Sequence, residues 1–216
     1  MLMGFAKRAL ASPVVFDTYQ SLVGAPACHR RFIRDMVGPI AGERILDVGC
    51  GVGASLRYIP ETVDYVGVDI SEAYIAKAKA DYGRRGKFIC ADVTTLGAAA
   101  LGTFDRAFSF GVLHHLPDDV AAQAVKFVRR VVKPGGSFVS IDPCYVPGQH
   151  AIAKLFIDND RGEYVRDAAG FERIVAGLGQ VRTEIHHDLM RIPFTQIVMS
   201  VVIGAEGATG SGSKST

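Results

Sequence analysis

No two of the four cysteines, Cys28, Cys50, Cys90 and Cys144, stand at Cys-x-x-Cys spacing, and no histidines cluster around them. That excludes the ligand pattern of a structural zinc module, and no metal site is expected. Scattered thiols within apolar stretches behave as small hydrophobes, which points to a reducing, cytoplasmic compartment. An excess of one charge is lacking too. With 24 basic and 22 acidic side chains the formal charge is +2, so the chain does not advertise a nucleic-acid surface. Long apolar runs are absent: the stretch 192–203 is broken by Pro193, Thr195, Gln196 and Ser200 and falls short of the ~20 residues of a spanning helix. Near the start, Lys7 and Arg8 precede an apolar run that mimics a secretory leader, but Ser12 and Pro13 interrupt it and no small-residue cleavage site follows. Internal repeats are missing as well. The tail 204–216, nearly all Gly, Ala, Ser and Thr, cannot bury enough surface to order itself and is expected to be disordered.

What remains is an ordinary globular composition, 49% apolar and 21% charged over 216 residues, enough for one sizeable core. The expected organisation is a single domain over 1–203: a cap at 1–40, a core at 41–142, and a loop, a helix and terminal strands at 143–203. From 44 to 142, short β-branched runs alternate with helical stretches, the rhythm of crossover units and a parallel sheet. Strands are predicted at 44–48, 65–69, 87–91, 104–110 and 137–142, the last introduced by Lys133-Pro134-Gly135-Gly136. Helices are predicted at 71–82, where Ser71 can cap, and at 117–132, where Val120, Ala124, Phe127, Val128 and Val131 share a face. A short basic helix at 27–37, stopped by Gly38-Pro39, caps the site. A helix near 168–178 and two strands at 181–188 and 194–203, forming an antiparallel edge, complete the chain.

The segment from Arg44 through Asp47-Val48-Gly49-Cys50-Gly51-Val52-Gly53 reads as a buried strand entering a glycine-rich turn at the start of a helix. Such a turn lets backbone approach a ligand closely and offers free N–H groups. The spacing is Gly-x-Gly-x-Gly, and Asp47 stands just before the turn, where a carboxylate repels a pyrophosphate. A cationic ligand fits better. S-adenosylmethionine, with an ammonium, a sulfonium and one carboxylate, suits an acid at Asp47 facing its amino-acid end. Asp69 ends the next strand, placed to accept hydrogen bonds from ribose hydroxyls, and Asp92 follows the third strand, placed for the adenine amine.

With these residues the chain resembles the class I S-adenosylmethionine-dependent methyltransferases, in particular the compact small-molecule branch related to ubiquinone-pathway enzymes. The resemblance is strong over about 40–142. It runs from the glycine loop Asp47 to Gly53, through Val68-Asp69-Ile70-Ser71 and Asp92-Val93, to Phe104-Asp105 through Leu113-His114-His115-Leu116, and then Lys133-Pro134-Gly135-Gly136. It implies an α/β fold, a Rossmann-like doubly wound seven-stranded sheet with the last strand antiparallel. It also implies S-adenosylmethionine contacts from Asp47, Gly49, Cys50, Gly51, Gly53, Asp69, Ile70, Asp92, Val93 and Gly111, with Tyr19 closing over the methionine end.

Methyl transfer from a sulfonium needs chiefly alignment and exclusion of water, and a general base where the acceptor is a hydroxyl. Candidate bases are His114 and His115, with packing or helix capping as their competing role. Tyr145 and His150 belong to the loop 143–150, which is expected to line the acceptor pocket or merely to shield it. The polar run 158–166 reads either as a lid whose arginines meet an anionic acceptor or as a solvated turn before a helix capped by Asp167. His186 and His187 point to opposite faces of their strand, against a shared metal. The expected partner is a small-molecule acceptor taking the methyl on oxygen, nitrogen or carbon, with no nucleic acid, no membrane span, and a monomer or homodimer. Two rival readings stay open: a cofactor-binding protein without catalysis, and a nicotinamide-dependent oxidoreductase.

Overall fold

The computed structural model describes residues 24–160 and 162–204. Near-continuous apolar runs make strands β1 (Arg44–Val48), β2 (Asp64–Asp69), β3 (Gly86–Cys90) and β4 (Phe104–Phe110), all parallel, as expected of strands covered on both faces. Strand β5 (Val132–Tyr145) is longer than the six residues predicted, because its ladder starts before the Lys133–Gly136 turn, where the register with β4 shifts. A two-residue strand β6 (Arg166–Asp167) pairs with the end of β5. Strands β7 (Gly179–His186) and β8 (Gln196–Ile203) form the predicted antiparallel pair, each bounded up to two residues from expectation. The order along the sheet is β3-β2-β1-β4-β5-β8-β7, and β8 alone runs against its neighbours.

One face of the sheet is covered by α3 (Asp118–Val131) and α5 (Ala168–Val175), whose Phe127, Val131 and Phe171 pack on Leu46, Val66 and Phe138. The other is covered by α1 (Ala25–Arg31) and α2 (Glu72–Tyr82), with Phe32, Ile33 and Ile75 on Ile45, Tyr65 and Phe108. Ser71 caps α2 by accepting from the Tyr74 N–H, and Asp167 caps α5 by accepting from Gly170, both as predicted. Helix α1 continues as a wider turn over Phe32–Val37 and ends at Gly38. Helix α4 (Ala151–Asp158) was not foreseen; the His150 ring caps it by accepting from the Ile152 N–H at 3.2 Å. After the glycine loop the chain makes only a five-residue 3₁₀ turn, Ala54–Tyr58, because Pro60 blocks continuation and β2 follows at once.

Strand order reverses between β1 and β4. At such a switch point the loops leaving neighbouring strands diverge to opposite faces and open a crevice at the carboxyl ends. No helix among the described residues is long and apolar enough to cross a membrane.

Candidate active site

A cavity of about 1250 Å³ opens at that crevice. Its near end is built from strand tips: Gly49 and Gly51 after β1, Asp69 and Ile70 after β2, and Asp92 and Val93 after β3. Gly49 adopts φ +73°, and a Cβ there would meet Val112 Cγ2 at 2.6 Å, so only glycine closes this turn. Asp69 holds the loop in place: Oδ2 accepts from Gly51 N–H at 2.9 Å and Oδ1 from Ser71 N–H at 2.8 Å. A carboxylate has lone pairs for further donors, so both oxygens stay able to accept from a diol in the cavity. Asp92 Oδ1 takes the N–H and hydroxyl of Thr94, at 2.8 and 2.7 Å, which fixes the turn leaving β3. Ile70, 71% exposed, and Val93 offer apolar edges at the mouth.

The third acid departs from expectation. Asp47 is 1% exposed and does not line the cavity; its Oδ2 accepts from the Tyr65 hydroxyl at 2.7 Å, and Ser55 also bonds to it. The reason is strand alternation, since Asp47 shares the face of Ile45, toward α1 and α2, while Val48 faces the other way. Burial raises the Asp47 carboxyl to about 7, against the opposing hydrogen bonds from Tyr65 and Ser55, with the Asp69 charge adding to the rise. Two more predicted contacts lie below the loop. The Cys50 sulfur packs toward Gly67, and the missing Cβ of Gly53 faces Phe88 and Tyr82. Gly111 lines the cavity, whereas Tyr19 lies outside the described residues.

The far end joins the turn after β4, helix α4 and the loop before β8. Phe156, Ile192 and Phe194 form an apolar wall, and His114, His115 and Asp160 supply its polar side. His114 is held on both ring nitrogens: Nδ1 lies 2.8 Å from Asp142 Oδ1 and Nε2 lies 3.2 Å from Asp160 Oδ1. The His114 backbone N–H donates to the same Asp142 oxygen at 3.1 Å. Burial alone would lower the ring's pKa; the hydrogen bonds to Asp142 and then Asp160 outweigh it and raise it to about 9. With both nitrogens engaged by carboxylates, His114 in this state has no lone pair to offer an acceptor, so it is not the base expected from the sequence. His115 lies beside it, ring centroids 4.0 Å apart, at the cavity wall.

The other two candidates are elsewhere. The Tyr145 hydroxyl donates to Asp158 at 2.9 Å on the outside of α4, and the His150 ring is taken up by capping that helix. The loop 146–150 lines an adjoining concavity of about 520 Å³ that shares Met190, Ile192 and Phe194 with the large cavity; from 143–150 only Pro143 lines the large cavity itself. The polar run keeps the expected helix cap at Asp167 but is tied inward at two points. Asp160 turns inward to His114, and Arg166 donates to the carbonyls of Leu113, Leu116 and Tyr164 at 2.6–2.9 Å while pairing with Asp118, so it pins the histidine turn and does not line the cavity. Sequence reasoning missed Asp142, Asp160 and Phe156, and also His29 of α1, whose ring stacks on Phe110 with centroids 4.1 Å apart.

Residues 46–140 match the family model described as a methyltransferase domain. The strand order and the strand-tip residues of this stretch agree with that match. The chain is 34% identical over 108 residues to a ubiquinone biosynthesis O-methyltransferase of Thiobacillus denitrificans (47% of this chain, 45% of that one). It is 32% identical over 127 residues to 24-methylenesterol C-methyltransferase 2 of Oryza sativa subsp. japonica (55% and 34%). The chain thus spans less than half the length of these curated relatives. In fold it is similar to Haemonchus contortus phosphoethanolamine N-methyltransferase 2 solved with S-adenosyl-L-methionine, at TM-score 0.69 and 16% identity, over 95% of this chain and 60% of that one.

Proposed function

We propose that this protein transfers the methyl group of S-adenosylmethionine to an oxygen, nitrogen or carbon of a small-molecule acceptor bound in the same cavity. The carrying observation is that one cavity holds two unlike ends. Ligand pockets commonly measure ~300–1,000 Å³; at about 1250 Å³ this one has room for donor and acceptor together. Asp69 takes the ribose hydroxyls, Asp92 and Val93 the adenine, and Gly49, Gly51 and Gly111 the methionine end, with Ile70 packing on the adenosine. Asp47, Cys50 and Gly53 support the loop from beneath, and Tyr19 remains assigned to closing over the methionine end. The apolar wall at Phe156, Ile192 and Phe194 sets the acceptor against the methyl carbon and keeps water out. His115 is the group we assign to steering an acceptor hydroxyl.

The relatives act, by their names, on ubiquinone precursors, sterols and phosphoethanolamine, so small-molecule acceptors are the common ground. The reading includes a single domain over 1–203, a monomer or homodimer, no nucleic-acid partner, and the cytoplasm, which the four free thiols, three of them buried, favour. Calorimetric titration with S-adenosylmethionine tests it, followed by a metabolite screen for S-adenosylhomocysteine release. Binding with turnover is expected. Absence of binding at about 1 mM ligand would overturn the reading, and binding without turnover of any acceptor would leave the non-catalytic alternative.

A further inference from the structure

The far end of the cavity carries a constellation that methyl transfer alone does not require. Ligand atoms of His114, His115 and Asp160 all lie within 4.8 Å of one another. His114 Nε2 and Asp160 Oδ1, 3.2 Å apart, already stand at the separation of two atoms sharing an ion at bond lengths of ~2.0–2.2 Å; the His115 ring, its centroid 4.0 Å from that of His114, supplies the third ligand atom. Behind His114 stands the support such ligands have. Its Nδ1 faces Asp142 Oδ1 at 2.8 Å, the same oxygen accepts the His114 backbone N–H, and Asp142 is 0% exposed, so ring orientation is fixed from behind. Asp142 Oδ2 is buried with no hydrogen-bond partner, which is costly for a group whose only task is packing. All three candidate ligands line the cavity on the acceptor side.

We propose that His114, His115 and Asp160 form a binding site for one divalent transition-metal ion, with Asp142 as the supporting carboxylate. Two imidazoles and one carboxylate suit Zn²⁺, Co²⁺, Fe²⁺ or Ni²⁺ better than Mg²⁺ or Ca²⁺, which favour all-oxygen shells. The ion takes the place of the proton between His114 Nε2 and Asp160, as binding to protonated ligands releases protons. Three ligands from one wall leave coordination positions facing the cavity. This rests on the methyltransferase reading and deepens it: the acceptor is a molecule with a hydroxyl beside a second oxygen, able to chelate the ion while the hydroxyl faces the methyl group.

The test uses the full untagged chain freed of metal with a chelator, titrated with Co²⁺ alone in an optical cell and with Zn²⁺ alone in a calorimeter. One equivalent should bind, with visible d–d absorption from Co²⁺. His115→Ala, at an exposed position, should weaken binding at least about tenfold while leaving circular dichroism unchanged, and Asp142→Asn, which touches no ion, should weaken it about 10–100-fold. Absence of saturable binding up to about 1 mM metal, or equal affinity in wild type and His115→Ala, overturns the proposal. S-adenosylmethionine is titrated into the same metal-free protein. Cofactor binding without metal binding sinks only this inference, whereas loss of cofactor binding sinks the methyltransferase reading.

Discussion

His29 on α1 and Asp47 at the tip of β1 are joined through one hydroxyl, that of Ser55, which lies 2.9 Å from His29 Nε2 and also bonds to the Asp47 carboxylate. The pair clamps the cap helix to the strand that launches the glycine loop. Its two ends are shifted in opposite senses: burial, with the charge of Arg57, lowers the His29 imidazole to about 4, and burial raises Asp47 to about 7.

Opposite stability slopes follow. Asp47, raised from 3.8, contributes fully below that value and loses the contribution as pH rises through 7; His29, lowered from 6.5, destabilises as pH falls from 6.5 toward 4. Asp47→Asn should therefore gain on wild type with rising pH, by up to about 1.4 kcal/mol per pH unit between 4 and 7. His29→Gln should gain most near pH 4 and nothing above 6.5. Urea denaturation at pH 4.5, 5.5 and 6.5 measures both differences, and trends of the same sign would reject the assignment.

Cofactor affinity should separate the three strand-tip acids. Asp69→Ala loses the carboxylate that both faces the cavity and holds Gly51, and should weaken S-adenosylmethionine by about 10–100-fold, as charged hydrogen bonds do. Asp92→Ala should cost about tenfold, and Asp47→Asn less than about threefold, since Asp47 does not line the cavity. A loss in Asp47→Asn as large as in Asp69→Ala would reverse their roles in calorimetry.

This contrast marks how far the sequence was legible. The strand-tip end of the cavity was legible for Gly49, Gly51, Asp69 and Asp92, because β1 to β4 read as short runs closed by glycine or acid. The side Asp47 faces was also present, as the two-residue step from Ile45, and the electrostatic argument for a cationic ligand took no account of that alternation. The acceptor half was not legible. Helix α4 is only eight residues long, with Lys154 and Asp158 as its single polar edge and Ile152 and Leu155 exposed among the apolar positions, so its stripe is too short to announce it. Asp160 and Arg166 take their roles from residues near position 114, distant in sequence, and no local spacing records that.

The glycines of the loop should fail differently. Gly49→Ala combines a positive φ with a clash against Val112, whereas Gly51 has φ +53° with nothing within 4 Å of a Cβ. The left-handed backbone costs roughly 1–2 kcal/mol in each, and Gly49→Ala should lose a further ~1–3 kcal/mol from overpacking. Adding Val112→Ala should restore part of the loss for Gly49→Ala and none for Gly51→Ala, read from thermal midpoints.

Arg166 should behave as a structural clamp. Arg166→Ala strands three carbonyls and should cost about 2–4 kcal/mol; Arg166→Lys, unable to fork to all of them, should recover less than half. Asp118→Ala, at the exposed end of the ion pair, should cost less than about 1 kcal/mol. Equal losses in all three variants by chemical denaturation would contradict this arrangement.

Because β8 runs backwards between β5 and β7, the loop that precedes it is returned to the same rim as the glycine turn. Ile192 and Phe194 thus complete a chamber whose floor was laid down more than a hundred residues earlier. On the proposed reading, the loop before β8 shapes the acceptor end without contributing to the strand tips after β1, β2 and β3. Grafting 187–195 from a relative with a different acceptor is accordingly the shortest route to a changed specificity.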